Sequence, residues 1–241
     1  MSTHHHVYPD AQKASEACAH AIVTLLEDRL SGESHASLAI SGGSTPKLMF
    51  PELAKAKLNW RDIHLFWVDE RGVPPTDPQS NFLLAQQYLI GPANIPKANV
   101  HRIHAELPPD QAAEQYVDDI RSFFNLSPGE LPHFDVIHRG IGSEAHTASL
   151  FPGEPLIDDR DQIAAAVYVE KVSQWRITLL PGVLLAAQHT VMLVAGADKA
   201  DAMHAIFEEP YDPKKYPAQI SAHHGRSVTW FLDEAAARLM T

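Results

Sequence analysis

The sequence predicts an α/β protein: a single Rossmann-like domain with three α/β/α layers around a mainly parallel sheet. Three observations predict it. Short apolar runs alternate with segments of helical period along the chain. The run Thr190 to Val194 is apolar almost throughout, as expected of a central strand covered on both faces. Finally, 241 residues without an internal repeat suit one large domain spanning 1–241, since domains run to roughly 100–200 residues.

From Pro9 to Leu30, Ala14, Cys18, Ala21, Ile22, Leu25 and Leu26 recur at steps of three and four, which marks one face of a helix that Gly32 ends. Ala36 to Ile40 is a strand, broken at Ser41, Gly42 and Gly43. Thr45 and Pro46 then read as N-cap and first turn of the next helix. Strands follow at Ile63 to Val68, Val100 to Ile103 and Phe134 to Ile137, with helices at Asn81 to Ile90 and Gln111 to Phe124. The later strands are Ala166 to Val169, Arg176 to Leu179, Thr190 to Val194 and Val228 to Phe231. Helices are expected at Pro181 to Ala187, Ala197 to Phe207 and Asp233 to Leu239. Arg176 to Leu179 is placed nearer an edge of the sheet. The Pro-rich segments Val73 to Pro78 and Glu208 to Pro217 are loops bordering a site, not linkers. Strands separated by helices require crossovers, and crossovers make neighbouring strands parallel.

Composition narrows the function classes. With 45% hydrophobic residues the chain can bury a sizeable core, and its 12 Gly and 18 Pro show no period. Nineteen basic against 30 acidic residues leave a net charge of −11, which argues against a nucleic-acid partner. The lone Cys18 forms no internal disulfide and reads as a small apolar helix residue. No apolar run approaches the roughly 18 residues of a membrane span, and Met1 to Asp10 lacks the apolar centre of a secretory signal. The expected compartment is the cytoplasm. Residues 1–8, with His4, His5 and His6, are expected to be a flexible end.

Four segments carry chemistry. Ser41-Gly42-Gly43-Ser44-Thr45-Pro46, between a strand end and a helix start, offers backbone N–H groups and a helix dipole to an anion; it is neither a dinucleotide fingerprint nor a P-loop. Asp69-Glu70-Arg71 follows another strand, and Arg71 suits a phosphate or carboxylate, although a solvated charged turn explains it equally. Lys199 opens a helix after Val194 and belongs to the same pattern, with an exposed helix lysine as the plain alternative. The densest segment runs from Gly140 to Gly153. Within it, His146 follows a glycine-bearing loop with Glu144 two residues before, so the carboxylate could orient an imidazole acting as general base. No metal site is expected despite 15 histidines: His223 and His224 are adjacent, His101 and His104 do not converge, and no HExxH or Cys-His set occurs.

These segments, with Ser80-Asn81, His146-Thr147-Ala148-Ser149-Leu150-Phe151-Pro152-Gly153, Arg176-Ile177-Thr178-Leu179 and Val194-Ala195-Gly196-Ala197-Asp198-Lys199-Ala200, resemble the 6-phosphogluconolactonase family over nearly the whole chain. The resemblance implies hydrolysis of 6-phosphoglucono-δ-lactone to 6-phosphogluconate in the oxidative pentose phosphate pathway, with no cofactor. It also implies His146 as base, and Gly42, Gly43, Ser44, Thr45, Arg71 and Lys199 holding substrate, chiefly its phosphate. Backbone N–H groups of the glycine loop are the candidate oxyanion donors. The implied partner is a small sugar phosphate; nothing in the chain names a protein partner.

Two departures stand at the centre. The family's Gly-x-Gly-x-Asp-Gly-His becomes Gly140-Ile141-Gly142-Ser143-Glu144-Ala145-His146, and the usually apolar pair before the first glycine is His138-Arg139. Glu144 adds a methylene to the orienting arm. Ala145, if it inherits a positive φ, is strained by about 1 kcal/mol or more. Two alternatives therefore stay open: a sugar-phosphate-binding protein without catalysis, and a deaminase of aminosugar phosphates. The second is disfavoured because that related family continues from its histidine with Ala-Phe-Asn-Glu-Pro.

Overall fold

The computed structural model describes residues 2–240. Its ten strands, in chain order, are β1 (Ser2–Tyr8), β2 (Ala36–Ile40), β3 (Ile63–Trp67), β4 (Asp69–Arg71), β5 (Val100–His101), β6 (Val136–Arg139), β7 (Ala164–Val169), β8 (Gln174–Leu179), β9 (His189–Val194) and β10 (Ser227–Asp233). The helices are α1 (Ala11–Leu30), α2 (Pro46–Lys55), α3 (Asn81–Ala85), α4 (Gly91–Ala93), α5 (Pro109–Phe124), α6 (Pro181–Ala186), α7 (Ala200–Glu208), α8 (Gln219–His224) and α9 (Glu234–Ala237). A π-turn, Gln86–Ile90, joins α3 to α4.

Seven strands form a wholly parallel sheet in the order β1-β10-β9-β6-β2-β3-β5. This is the predicted layered α/β fold. β2 is buried at every position, as a strand covered on both faces must be. Along β9 the side chains alternate: Val191 and Leu193 join the main core with Ile22 and Phe50, whereas Met192 and Val194 join a second cluster with Met203 and Trp230. Cys18 is fully buried in α1 with its thiol against Met49 Sδ at 3.4 Å, and burial pushes that thiol up. Tyr116 of α5 clips the end of β3, donating to the Trp67 carbonyl at 2.6 Å and accepting from its N–H at 2.9 Å.

Four expectations are corrected. Residues 2–8 are a strand, not a flexible end: Ser2–Tyr8 pairs in parallel with Ser227–Asp233, and Tyr8 stacks on Phe231. An edge strand with one open face needs no apolar alternation, so a His-rich segment gives no signal. Ala164–Val169 and Gln174–Leu179 do not join the main sheet. They form an antiparallel hairpin in a second sheet of order β4-β8-β7, in which β8 is central. Asp69–Arg71 is the third strand of that sheet and not a solvated turn; the chain crosses from one sheet to the other at Val68, whose N–H bonds Ile40 and whose carbonyl bonds Leu179. The strand read at Val100 to Ile103 is limited to Val100–His101.

The strand order locates the site. From β2 the chain moves outward through β3 to β5, then returns to place β6 on the other side of β2. At such a reversal the loops leaving the carboxyl ends of the two strands diverge and open a crevice. The loops after Ile40 and Arg139 border it.

Candidate active site

A cleft of about 210 Å³ lies at this reversal. One wall is the loop Ser41 to Thr45, and Arg71 and Lys199 also line the cleft; opposite them stands the Gly140 to Ala148 segment with His146. The structure thus brings together Gly42, Gly43, Ser44, Thr45, Arg71, Lys199 and His146.

The anion wall is built by backbone. Among the described residues, no hydrogen bond engages the N–H groups of Gly42, Gly43, Ser44 or Thr45. Gly43 has φ 123, which a side chain would resist. Gly42 is required for another reason: a Cβ there would stand 1.7 Å from Asn81 Oδ1. Asn81 is in turn fixed by donating from Nδ2 to the Asp69 carbonyl at 2.8 Å. Thr45 precedes α2 with helical φ and ψ and makes no capping bond through its side chain, contrary to the expectation from Thr45-Pro46.

Asp69-Glu70-Arg71 divides its work. Glu70 is buried and accepts from the N–H groups of Arg71, Asn81 and Phe82 at 2.8, 2.7 and 2.8 Å, and from Ser80 Oγ at 3.1 Å. It thereby ties β4 to the start of α3. Burial pushes its carboxyl up, against the pull of those backbone donors. Asp69 accepts from Ser149 Oγ at 2.6 Å, which fastens the His146 segment to β4. Arg71 donates to the Gln79 carbonyl at 2.7 Å and lines the cleft. Arg176 stands directly across the strand pair from Arg71; burial and that neighbouring guanidinium pull its pKa down. Lys199 follows Gly196, whose φ of 106 turns the chain out of β9, and its ammonium contacts Asp198 at 3.0 Å.

His146 stacks on Phe151, with ring centroids 4.1 Å apart. Its Nδ1 lies 3.3 Å from Glu144 Oε2, close but too poorly aligned for a full hydrogen bond. Burial pulls the imidazole below its ordinary pKa; the charges of Glu144 and Asp69 work against that pull and Lys199 works with it. The net balance favours the neutral form of the ring. Burial opposes the charge of Glu144, but Lys171, whose Nζ is 2.5 Å from Oε1, holds the carboxyl down at about 2. Gly142 makes room for the pair, since a Cβ there would lie 2.0 Å from His146 Nδ1. The Gly142 N–H is engaged with the His146 carbonyl at 2.9 Å, which removes it from the candidate oxyanion donors.

Ala145 has φ 62, so the strain expected from its sequence position is present; Ala148 follows at φ 53. His138 and Arg139 are fully buried on the central strand β6. Burial, with the Arg139 charge, takes His138 to about 3, and burial takes Arg139 to about 9. Arg139 bonds Ser221 Oγ at 2.6 Å. Sequence reasoning missed Lys171, Arg176 and the fastening role of Asp69. Only Arg176 and Asp69 had a signal, because each flanks a strand segment already singled out.

The crevice of this parallel sheet thus gathers a glycine-bearing loop, Arg71, Lys199 and the imidazole of His146, the layout of an α/β protein with its site at the carboxyl ends of its strands. A sequence profile described as "Glucosamine-6-phosphate isomerases/6-phosphogluconolactonase" matches residues 9–230. The 6-phosphogluconolactonase of Haemophilus influenzae is 37% identical over 238 residues, covering 97% of this chain and 98% of that one. That of Nostoc sp. is 36% identical over 231 residues, covering 95% of each. The structure of 6-phosphogluconolactonase from Trypanosoma brucei superposes with a TM-score of 0.88 at 26% identity, covering 100% of this chain and 99% of the other. The chain belongs to the glucosamine-6-phosphate isomerase/6-phosphogluconolactonase family.

Proposed function

We propose that this chain, acting as one domain, hydrolyses 6-phospho-D-glucono-1,5-lactone to 6-phospho-D-gluconate in the oxidative pentose phosphate pathway, with His146 as general base. The observation that carries the reading is the imidazole of His146, 3.3 Å from Glu144, in a cleft shared with Arg71, Lys199 and the unengaged N–H groups of residues 42–45. The names of its relatives support the same substrate.

The phosphate dianion is held at the Ser41 to Thr45 loop by Gly42, Gly43, Ser44 and Thr45, with Arg71 and Lys199 supplying positive charge. The lactone carbonyl then lies toward His146. Water attacks C1 as its proton passes to Nε2, the ring nitrogen turned away from Glu144. Glu144 steadies the imidazolium so formed. When the bond from C1 to the ring oxygen breaks, that oxygen takes the proton back and becomes the C5 hydroxyl. His146 ends the cycle neutral. Among the described residues no helix is long and apolar enough to cross a membrane.

The test is the rate of lactone loss, with substrate generated in situ, above spontaneous hydrolysis. Wild type accelerates it and His146→Ala loses roughly 10²–10⁴-fold, the usual share of a general base. Wild-type protein that binds 6-phosphogluconate without accelerating hydrolysis would overturn the reading in favour of a binding protein. Ammonia release from glucosamine 6-phosphate would overturn it in favour of a deaminase.

A further inference from the structure

The turn Glu170–Val172 forms the tip of the β7–β8 hairpin, with Ser173 in the left-handed region at φ 48. From this tip Lys171 reaches across to the loop of the main sheet. Its Nζ contacts Glu144 Oε1 at 2.5 Å, while the other oxygen, Oε2, faces His146 Nδ1 at 3.3 Å and accepts from Ser143 Oγ at 3.3 Å. The two oxygens of one carboxylate are thus divided between an ammonium and an imidazole. A glutamate arm has one more rotatable bond than aspartate and loses more freedom when fixed. A stronger anchor than the 3.3 Å Ser143 Oγ bond is needed to hold the carboxylate at the ring. Lys171 is that anchor, and its side chain is 61% exposed against 22% for Glu144, so it closes the pair from the solvent side.

We propose that Lys171 is a positioning residue for the hydrolysis, fastening Glu144 beside His146 so that the second sheet sets the orientation of the catalytic imidazole. The rate test of this proposal rests on the lactonase reading; the spectroscopic test does not. The charged groups facing His146 are Glu144 on its own loop, Asp69 on β4 and Lys199 after β9. Lys171 acts on the ring through Glu144, which separates it from Lys199.

The experiment compares wild type with Lys171→Met, Lys171→Arg, Glu144→Gln and the double variant Lys171→Met/Glu144→Gln. Following the His146 ring C–H resonances by NMR against pH reads the link in folded protein whether or not it turns over lactone. In Lys171→Met the midpoint moves down by ~0.5 unit, because the departing carboxylate leaves burial less opposed. Lys171→Arg restores it, and in the Glu144→Gln background Lys171→Met changes nothing further. In the lactone assay, Lys171→Met lowers kcat on the order of tenfold with KM little changed, again without effect once Glu144 is Gln. An unmoved midpoint in Lys171→Met overturns the proposal. So does an upward shift, which would mean that Glu144 keeps its place unaided. A rise in KM alone, or equal losses in both backgrounds, would assign Lys171 to direct substrate contact and overturn it as well. An inactive wild type with the expected NMR shifts would sink the lactonase reading and leave the positional link standing.

Discussion

At the scale of the residue, the base role proposed for His146 carries a pH dependence of definite sign, because burial favours its uncharged form. Activity needs the unprotonated ring, so kcat/KM rises with pH through the His146 pKa and levels off above it. Since that pKa is depressed, the midpoint falls below the ordinary histidine value of about 6.5. A midpoint above 6.5 in a pH–rate profile would show that Glu144 and Asp69 outweigh burial. Ala145 poses a contest of small terms. Its left-handed backbone costs roughly 1–2 kcal/mol, but its methyl lies in the core and contributes about 0.8 kcal/mol by burial. Ala145→Gly should therefore shift Tm by less than ~4 °C in thermal unfolding. The strain could be foreseen from the sequence because a glycine position was filled by alanine. The offsetting burial could not, because Ala145 lies in a buried cluster with residues of β9, α7 and β10, far along the chain.

At the scale of the element, β6 carries a conflict. A central strand buried on both faces holds Arg139, whose polar side-chain partner among the described residues is the neutral Ser221. A desolvated guanidinium without a carboxylate costs more than one hydrogen bond returns. Arg139→Met should raise stability by about 1–3 kcal/mol, read as a higher midpoint in chemical denaturation. A lower midpoint would mean that this bond and the packing of the Arg139 stem contribute more than the charge costs. The parallel strands, their helices and the glycine loops were legible because strand and helix periods alternate and the loops break them sharply. The second sheet was not. β7 and β8 look like any other apolar strands, and nothing local tells a hairpin strand from one that enters a parallel sheet. That same ambiguity hid Lys171, whose position matters only after the hairpin folds toward Glu144.

At the scale of the whole molecule, the site depends on the junction of two sheets, and the far edge of the main sheet lies apart from it. β1 is mostly exposed and is held by its ladder to β10 and by Tyr8 against Phe231. Removing residues 2–8 should lower Tm by several degrees and increase light scattering on heating, because β10 then presents an open edge. KM for the lactone should not change; a changed KM would show that the edge communicates with the cleft. The pairing of β1 with β10 also orders events in time. β1 has no partner in the main sheet until β10 has been made, so a nascent chain carries it unpaired through synthesis of the strands between them. Pairing β1 with β10 is a high-contact-order step, and the main sheet is complete only once it has occurred.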